Sequence, residues 1–168
     1  MNNNNKKNKK IDVMWVGLSH KQEKNGNKFY PLGEDTNSGK VIFEIEKSLP
    51  KLKFYRTNLV KFAPTDKNNK LRYPTISEME NDFPLLRKEI SELSPKIIFL
   101  LGSKVAEFVI KKRGQKLIKS REDWQSYEVA ILKETFLVSI FHPSYVYVYK
   151  RKNIDEYIDA VRRIILGL

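Results

Sequence analysis

The chain has 168 residues, 40% of them apolar, and its 32 lysines and arginines outnumber 20 acidic residues for a net charge of +12. That length holds one domain with a proper core, and no apolar run approaches the ~20 residues of a membrane span. Cysteine is absent and only two histidines occur, which excludes disulfides, a thiolate nucleophile, cysteine-ligated zinc or iron–sulfur clusters, and a histidine-rich metal site.

Residues 1–10 are Asn- and Lys-rich, of low complexity and without the hydrophobic stretch of a signal peptide, and read as a disordered basic tail. The tail's four lysines removed, residues 11–168 still carry +8 and form the single domain. A body this basic points to a polyanionic partner, nucleic acid first. Ile11–Leu18 reads as a buried strand ending near Gly17. His20–Asp35 is a polar loop long enough to be functional. Ser38 is placed to cap a helix with Val41, Ile42, Ile45 and Leu49 on its apolar face, stopped by Pro50.

Leu52–Val60 is the second predicted strand. Thr75 and Glu78 make a capping-box pattern ahead of a helix that Pro84 interrupts. Lys96–Leu101 is a continuous apolar run of the kind a parallel sheet buries on both faces, and Gly102 turns it into a helix from about Lys104 to Lys112. Phe136–Phe141 is the last clear strand. Asn153 caps a closing helix with Asp155 and Glu156 in its first turn. Alternating strands and helices predict a three-layer αβα sandwich around a mostly parallel four-stranded sheet. Ligands of such folds sit outside the carboxyl ends of the strands, here Gly17–Asp35, Asn58–Pro64, Gly102–Lys104 and His142–Arg151.

His142–Arg151 (HPSYVYVYKR) is the most informative segment. It holds a histidine straight after a strand, a proline that fixes the turn, a serine, tyrosines alternating with valines, and two cations. A loop entering a DNA groove needs such a hydroxyl for phosphate, an apolar wedge for the vacated stack, and cations for the backbone. An edge strand with alternating tyrosines is the plain structural alternative.

The segment resembles the His-Pro-Ser loop of the uracil-DNA glycosylase superfamily. His142, Pro143 and Ser144 fall on its opening, Val146 on its wedge position, and Tyr149 and Lys150 on its Tyr-Arg, while Tyr145 replaces the proline of the best-known family. The resemblance implies that His142 is the catalytic donor to the base carbonyl that gains charge as the glycosidic bond breaks. Val16-Gly17-Leu18 resembles the first motif, whose amides line the base pocket, with Leu18 in place of the usual carboxylate or asparagine. Gly33-Glu34-Asp35-Thr36-Asn37-Ser38-Gly39 resembles the Gly-Asp-x-Ser-Gly run of the fifth family. That makes Asp35 the second catalytic candidate, with Glu34 and Glu23 as alternatives.

Thr57–Pro64 resembles the Asn-x-Val-Lys/Arg-x-x-Pro segment, Asn58 being the match for base recognition, because an amide presents a donor and an acceptor together. Pro95–Phe108 resembles the strand–Gly–helix segment that precedes the histidine, with Ser103 and Lys104 at a phosphate-binding helix start. Phe29 or Tyr30 is the candidate to stack on the flipped base. Lys61, Ser103, Lys104, Ser144, Tyr145, Val146, Lys150 and Arg151 are the expected DNA contacts.

The resemblance implies a glycosylase-like α/β fold and an enzyme that flips uracil or a modified pyrimidine out of DNA and hydrolyses its N-glycosidic bond, as in base excision repair. A module of the same fold that captures a modified base without excising it is the alternative that Leu18 raises. The four-cysteine iron–sulfur cluster usual in the fourth and fifth families has no counterpart in this sequence. No cofactor, metal or membrane partner is expected, and the chain is expected to be monomeric, cytoplasmic and nucleoid-associated.

Overall fold

A computed structural model describes residues 10–21, 30–112, 128–132 and 134–168, the stretch 128–132 by its backbone. Five strands, β1 (Val13–Ser19), β2 (Phe54–Val60), β3 (Ile97–Leu101), β4 (Glu128–Leu132) and β5 (Thr135–Ile140), form one sheet in the order β2-β1-β3-β5-β4. The four expected strands pair in parallel. The fifth, β4, which the sequence pattern does not reveal, is an antiparallel edge strand on β5. The helices are α1 (Asn37–Lys47), α2 (Ile76–Leu93), α3 (Ser103–Lys112), α4 (Pro143–Tyr149) and α5 (Ile154–Gly167).

Because successive strand residues point to opposite faces, the central strands supply two cores. Trp15, Phe99 and Val138 pack under α1, α4 and α5, while Met14, Val16, Ile98 and Leu137 pack under α2 and α3. Both faces being covered, the parallel strands read as unbroken apolar runs. The result is the three-layer sandwich expected from the alternation.

Local chemistry shifts several boundaries. Thr36, not Ser38, caps α1: its Oγ1 accepts from the Gly39 amide at 2.9 Å and donates to the Gly33 carbonyl at 2.8 Å. Ser38 lies inside the first turn and is buried. The capping box of α2 is formed, with Glu78 N donating to Thr75 Oγ1 at 3.2 Å and Thr75 N to Glu78 Oε2 at 2.7 Å. Pro84 does not break α2, which runs through it to Leu93. Pro84 is exposed, so water can satisfy the backbone carbonyl that loses its helical partner.

The larger correction concerns residues 142–151. Pro143–Tyr149 is a helix, neither a wedge loop nor an edge strand, because His142 caps it and proline occupies its first turn. The spacing then turns Pro143 and Val146 inward and leaves Tyr145, Val148 and Tyr149 exposed.

One ion pair joins three elements beneath the long loop. Arg56 on β2 donates to Glu46 of α1 through Nε (3.0 Å) and Nη2 (2.7 Å), and its Nη1 donates to the Leu32 carbonyl at 2.8 Å. Trp15 Nε1 donates to the same carboxylate at 2.9 Å. Leu32 has a left-handed backbone, φ 53°, a conformation that costs a leucine energy and needs an anchor. Removing the carboxylate leaves a largely buried guanidinium unpaired. Glu46→Ala is therefore expected to lower stability by about 3 kcal/mol, read as a smaller midpoint in urea unfolding at an unchanged m-value.

Candidate active site

The carboxyl ends of β1 and β3 point to one crevice, and their connections leave in different directions along the sheet, which opens a cavity between them. The cavity measures about 1100 Å³. Its floor is Gly17, Leu18, Asn58, Gly102, Ser139 and His142; the start of α1 adds Thr36, Asn37 and Ser38; the β2–α2 connection adds Leu71, Arg72 and Tyr73. Ser103, Lys104 and Glu107 line it from α3, and Ser144, Tyr145, Val148 and Tyr149 from α4.

Asn58 is only 2% exposed and lies beside Gly17 in the β1–β2 register. A Cβ at Gly17 would collide with the Asn58 Oδ1, so the carboxamide occupies the space that a side chain at Gly17 would take. Gly102 differs. It has φ +91°, and a Cβ there would lie 3.4 Å from the His142 Cβ, an ordinary contact, so a substitution would be strained in the backbone without being crowded.

His142 begins α4. Its Nδ1 accepts from the Ser144 amide at 3.3 Å and lies 2.8 Å from the Ser144 hydroxyl. An Nδ1 that accepts an amide proton places the ring's own proton on Nε2. Burial, with help from the nearby Lys21 ammonium, pushes the imidazole down to about 4 from its ordinary 6.5. At neutral pH the cavity therefore presents a neutral imidazole with Nε2–H as a donor. Fully buried Tyr157 of α5 donates to the Phe141 carbonyl at 2.7 Å and so fixes the residue before His142. His20, on the β1 side of the cavity, is also pushed down, first by burial and then by Lys61.

The structure brings Gly17, Leu18, Asn58, Ser103, Lys104, His142, Ser144 and Tyr145 to the cavity. Others it does not. Val146 has 0% exposure and packs in the core under α1 and α5, so the wedge expected at that position is not presented. Asp35 is exposed in the turn before Thr36 and does not line the cavity. Its neighbours Thr36, Asn37 and Ser38 line the cavity instead. Glu34 is exposed and borders a separate groove beside α1 and α5.

Lys61 also departs from expectation. Its Nζ is held by Glu89 at 2.8 Å and Thr57 Oγ1 at 2.6 Å, which makes it a structural cation and not an available DNA contact. Tyr30 is exposed and does not line the cavity. Lys150 and Arg151 are exposed just past α4. Phe29 and Glu23 lie outside the described residues.

Sequence reasoning missed Arg72 and Tyr73, Asn37 and Ser38, Ser139 and Glu107. For Arg72 a signal existed, because it stands just before the Thr75 capping box. The N3 glutamate of that box also takes the Arg72 guanidinium in a two-pronged pair, at 2.8 and 2.7 Å, and this pulls Glu78 down to about 2. No cysteine exists to hold an iron–sulfur cluster, and among the described residues no group of three His, Asp or Glu side chains comes together as metal ligands. The residues present do not fit such a cluster.

Two measurements follow from the imidazole. Its ring resonances should titrate near pH 4 and show the Nε2–H tautomer above that, a midpoint near 6.5 contradicting the buried neutral state. Between pH 6.5 and about 4 the unfolded chain binds a proton at this position that the folded chain does not. Stability then falls with the pH through that window, by at most about 1.4 kcal/mol per pH unit from this group. His142→Gln should make the acid branch of the stability curve shallower by up to that amount.

A family model described as the uracil DNA glycosylase superfamily matches residues 8–165. No curated protein matches the chain.

Proposed function

The chain belongs to the uracil-DNA glycosylase superfamily, and from that premise we propose that it is a DNA glycosylase that flips uracil or a modified pyrimidine into the cavity and hydrolyses its N-glycosidic bond. The observation that carries the reading is the neutral, buried His142, with its Nδ1 engaged by Ser144 and its Nε2–H left to a ligand.

The chemistry follows from where charge develops. As the bond between the base nitrogen and C1′ breaks, its electron pair leaves with the base and spreads onto the adjacent carbonyl oxygen, while the sugar becomes cationic. Nε2–H of His142 donates to that oxygen. A neutral donor there strengthens as charge grows and needs no proton transfer, so it favours the transition state over the ground state. Asn58 offers an acceptor and a donor to the base edge, matching N3–H and O4 of uracil better than the amino edge of cytosine. Water then supplies the oxygen that closes C1′ and releases its proton to solvent. The side chains of Asn37 and Ser38 stand ready to orient it, which is where Asp35 was expected. Ser103, Lys104, Ser144, Lys150 and Arg151 take the phosphates.

A second reading, a module of this fold that holds a modified base without excising it, is favoured by one observation: Leu18 stands where the first motif usually has a polar group, and the carboxylate that lines the cavity among the described residues is Glu107 of α3. Alkali treatment of oligonucleotides carrying uracil, deaminated purines or modified pyrimidines decides between them. Strand breaks after incubation support the enzyme, and capture without breaks supports the module.

His142→Ala is expected to slow single-turnover excision by about a hundred- to a thousandfold, the usual effect of removing one donor to a developing oxyanion. A variant as fast as the parent refutes the role. Asn58→Asp should change the ranking of bases, since a carboxylate presents only acceptors. Lys150→Ala with Arg151→Ala should reduce the log–log salt slope of binding by about 0.9 on duplex DNA, or about 0.7 on a single strand, for each phosphate that is no longer neutralised. An unchanged slope would place the DNA elsewhere.

A further inference from the structure

With Val146 sunk in the core, α4 presents two rings, Tyr145 and Tyr149, and the short Val148 to the cavity. Phe141, Tyr145 and Tyr149 form a ladder, with centroids 6.0 Å apart and planes at 20° for the first pair, and 5.3 Å and 41° for the second. Tyr145 and Tyr149 are one helical turn apart, on the same side of α4. Tyr149 ends the ladder 72% exposed. From the other helical layer comes Tyr73, 67% exposed, with the Lys104 ammonium 4.4 Å from its ring centroid. Both tyrosines line the cavity's mouth.

Rings left in water on two sides of one cavity contribute little to the core, yet each offers a flat apolar face beside cations. Lys104 stands at Tyr73, and Lys150 and Arg151 follow Tyr149 in the chain. That pairing suits unpaired bases, which stack on aromatic faces regardless of sequence while cations follow the backbone. A duplex hides its base faces, and opening it calls for an apolar wedge to fill the vacated stack. The position expected to supply that wedge is buried.

We propose that Tyr73 and Tyr149 are stacking platforms for the bases that flank the flipped nucleotide, and that the substrate is single-stranded DNA. This rests on the glycosylase reading for the base that enters the cavity, but not for the two platforms outside it.

Fluorescence anisotropy with a labelled, lesion-free single strand, and with the same sequence as a duplex, reads the platforms without any excision. The full chain should bind the single strand about tenfold more tightly than the duplex at equal salt. Tyr73→Ala and Tyr149→Ala should each weaken single-strand binding by about fivefold or more. Tyr73→Phe and Tyr149→Phe should retain it, because a phenyl ring stacks as well. Thermal unfolding checks that the alanine variants fold, as expected for exposed side chains. Equal affinity for duplex and single strand, or alanine variants that bind like the parent, overturns the proposal.

A uracil-containing single strand treated with alkali keeps the two readings apart. Alkali-labile breaks without any single-strand preference would retire the platforms and leave the glycosylase. A tyrosine-dependent preference without breaks would do the reverse.

Discussion

Two glycines near the carboxyl ends of strands shape the floor of the cavity. In β1, two residues before its end, Gly17 leaves the volume into which the Asn58 carboxamide fits. Past the end of β3, Gly102 turns the chain with a positive φ and lets the segment carrying His142 pass at van der Waals distance. Neighbouring parallel strands are about 5 Å apart. Polar groups from adjacent strand ends can therefore converge on one small ligand only where the intervening residues claim no space. A side chain at Gly17 would displace the carboxamide, and one at Gly102 would strain the turn that leads past His142.

Around that floor, each wall is tied to a helical layer by one polar contact. Arg56 joins the Leu32 carbonyl to Glu46 of α1. Tyr157 reaches from α5 to the carbonyl before His142, and Glu78 of α2 holds Arg72 at the mouth. The first two contacts hold backbone carbonyls, and the third holds a side chain that lines the cavity itself. Burial does the electrostatic part. It holds His142 neutral, so a chain of net charge +12 keeps an uncharged donor in its cavity, beside the cations Lys21, Arg72 and Lys104.

The chain's departures from its superfamily are chemical more than architectural. Cysteine is absent, so nothing in the fold leans on a cluster; the sheet, its two cores and the helix caps hold the strand ends in place. Leu18 makes one wall of the cavity apolar, and the carboxylate of Asp35 stands outside it. What remains at the floor is a set of neutral polar groups: an imidazole, a carboxamide and serine hydroxyls. Such a set can offer directed hydrogen bonds to a polar ligand.

The sequence by itself determined the layers and the strand ends. Continuous apolar runs at Ile11–Leu18 and Lys96–Leu101 can only be buried on both faces, and Gly17, Gly102, Asn58 and His142 stand where such runs stop. Charge pointed to a polyanionic partner and the lack of cysteine excluded thiolate-held metals, since both depend on composition alone. Tertiary structure decided which way side chains point. The alternating Tyr and Val of residues 145–149 have a period of two, yet a histidine cap and a proline wind them into a helix, which buries Val146 and exposes Tyr149. Thr36 in place of Ser38 caps α1, which puts Ser38 inside the first turn and buries it. Lys61 is taken up by Glu89, an acid 28 residues away. A cap choice or a distant ion pair changes orientation by a fraction of a turn at an energy of about 1 kcal/mol. Local pattern does not resolve differences of that size, so packing against the rest of the chain settles them.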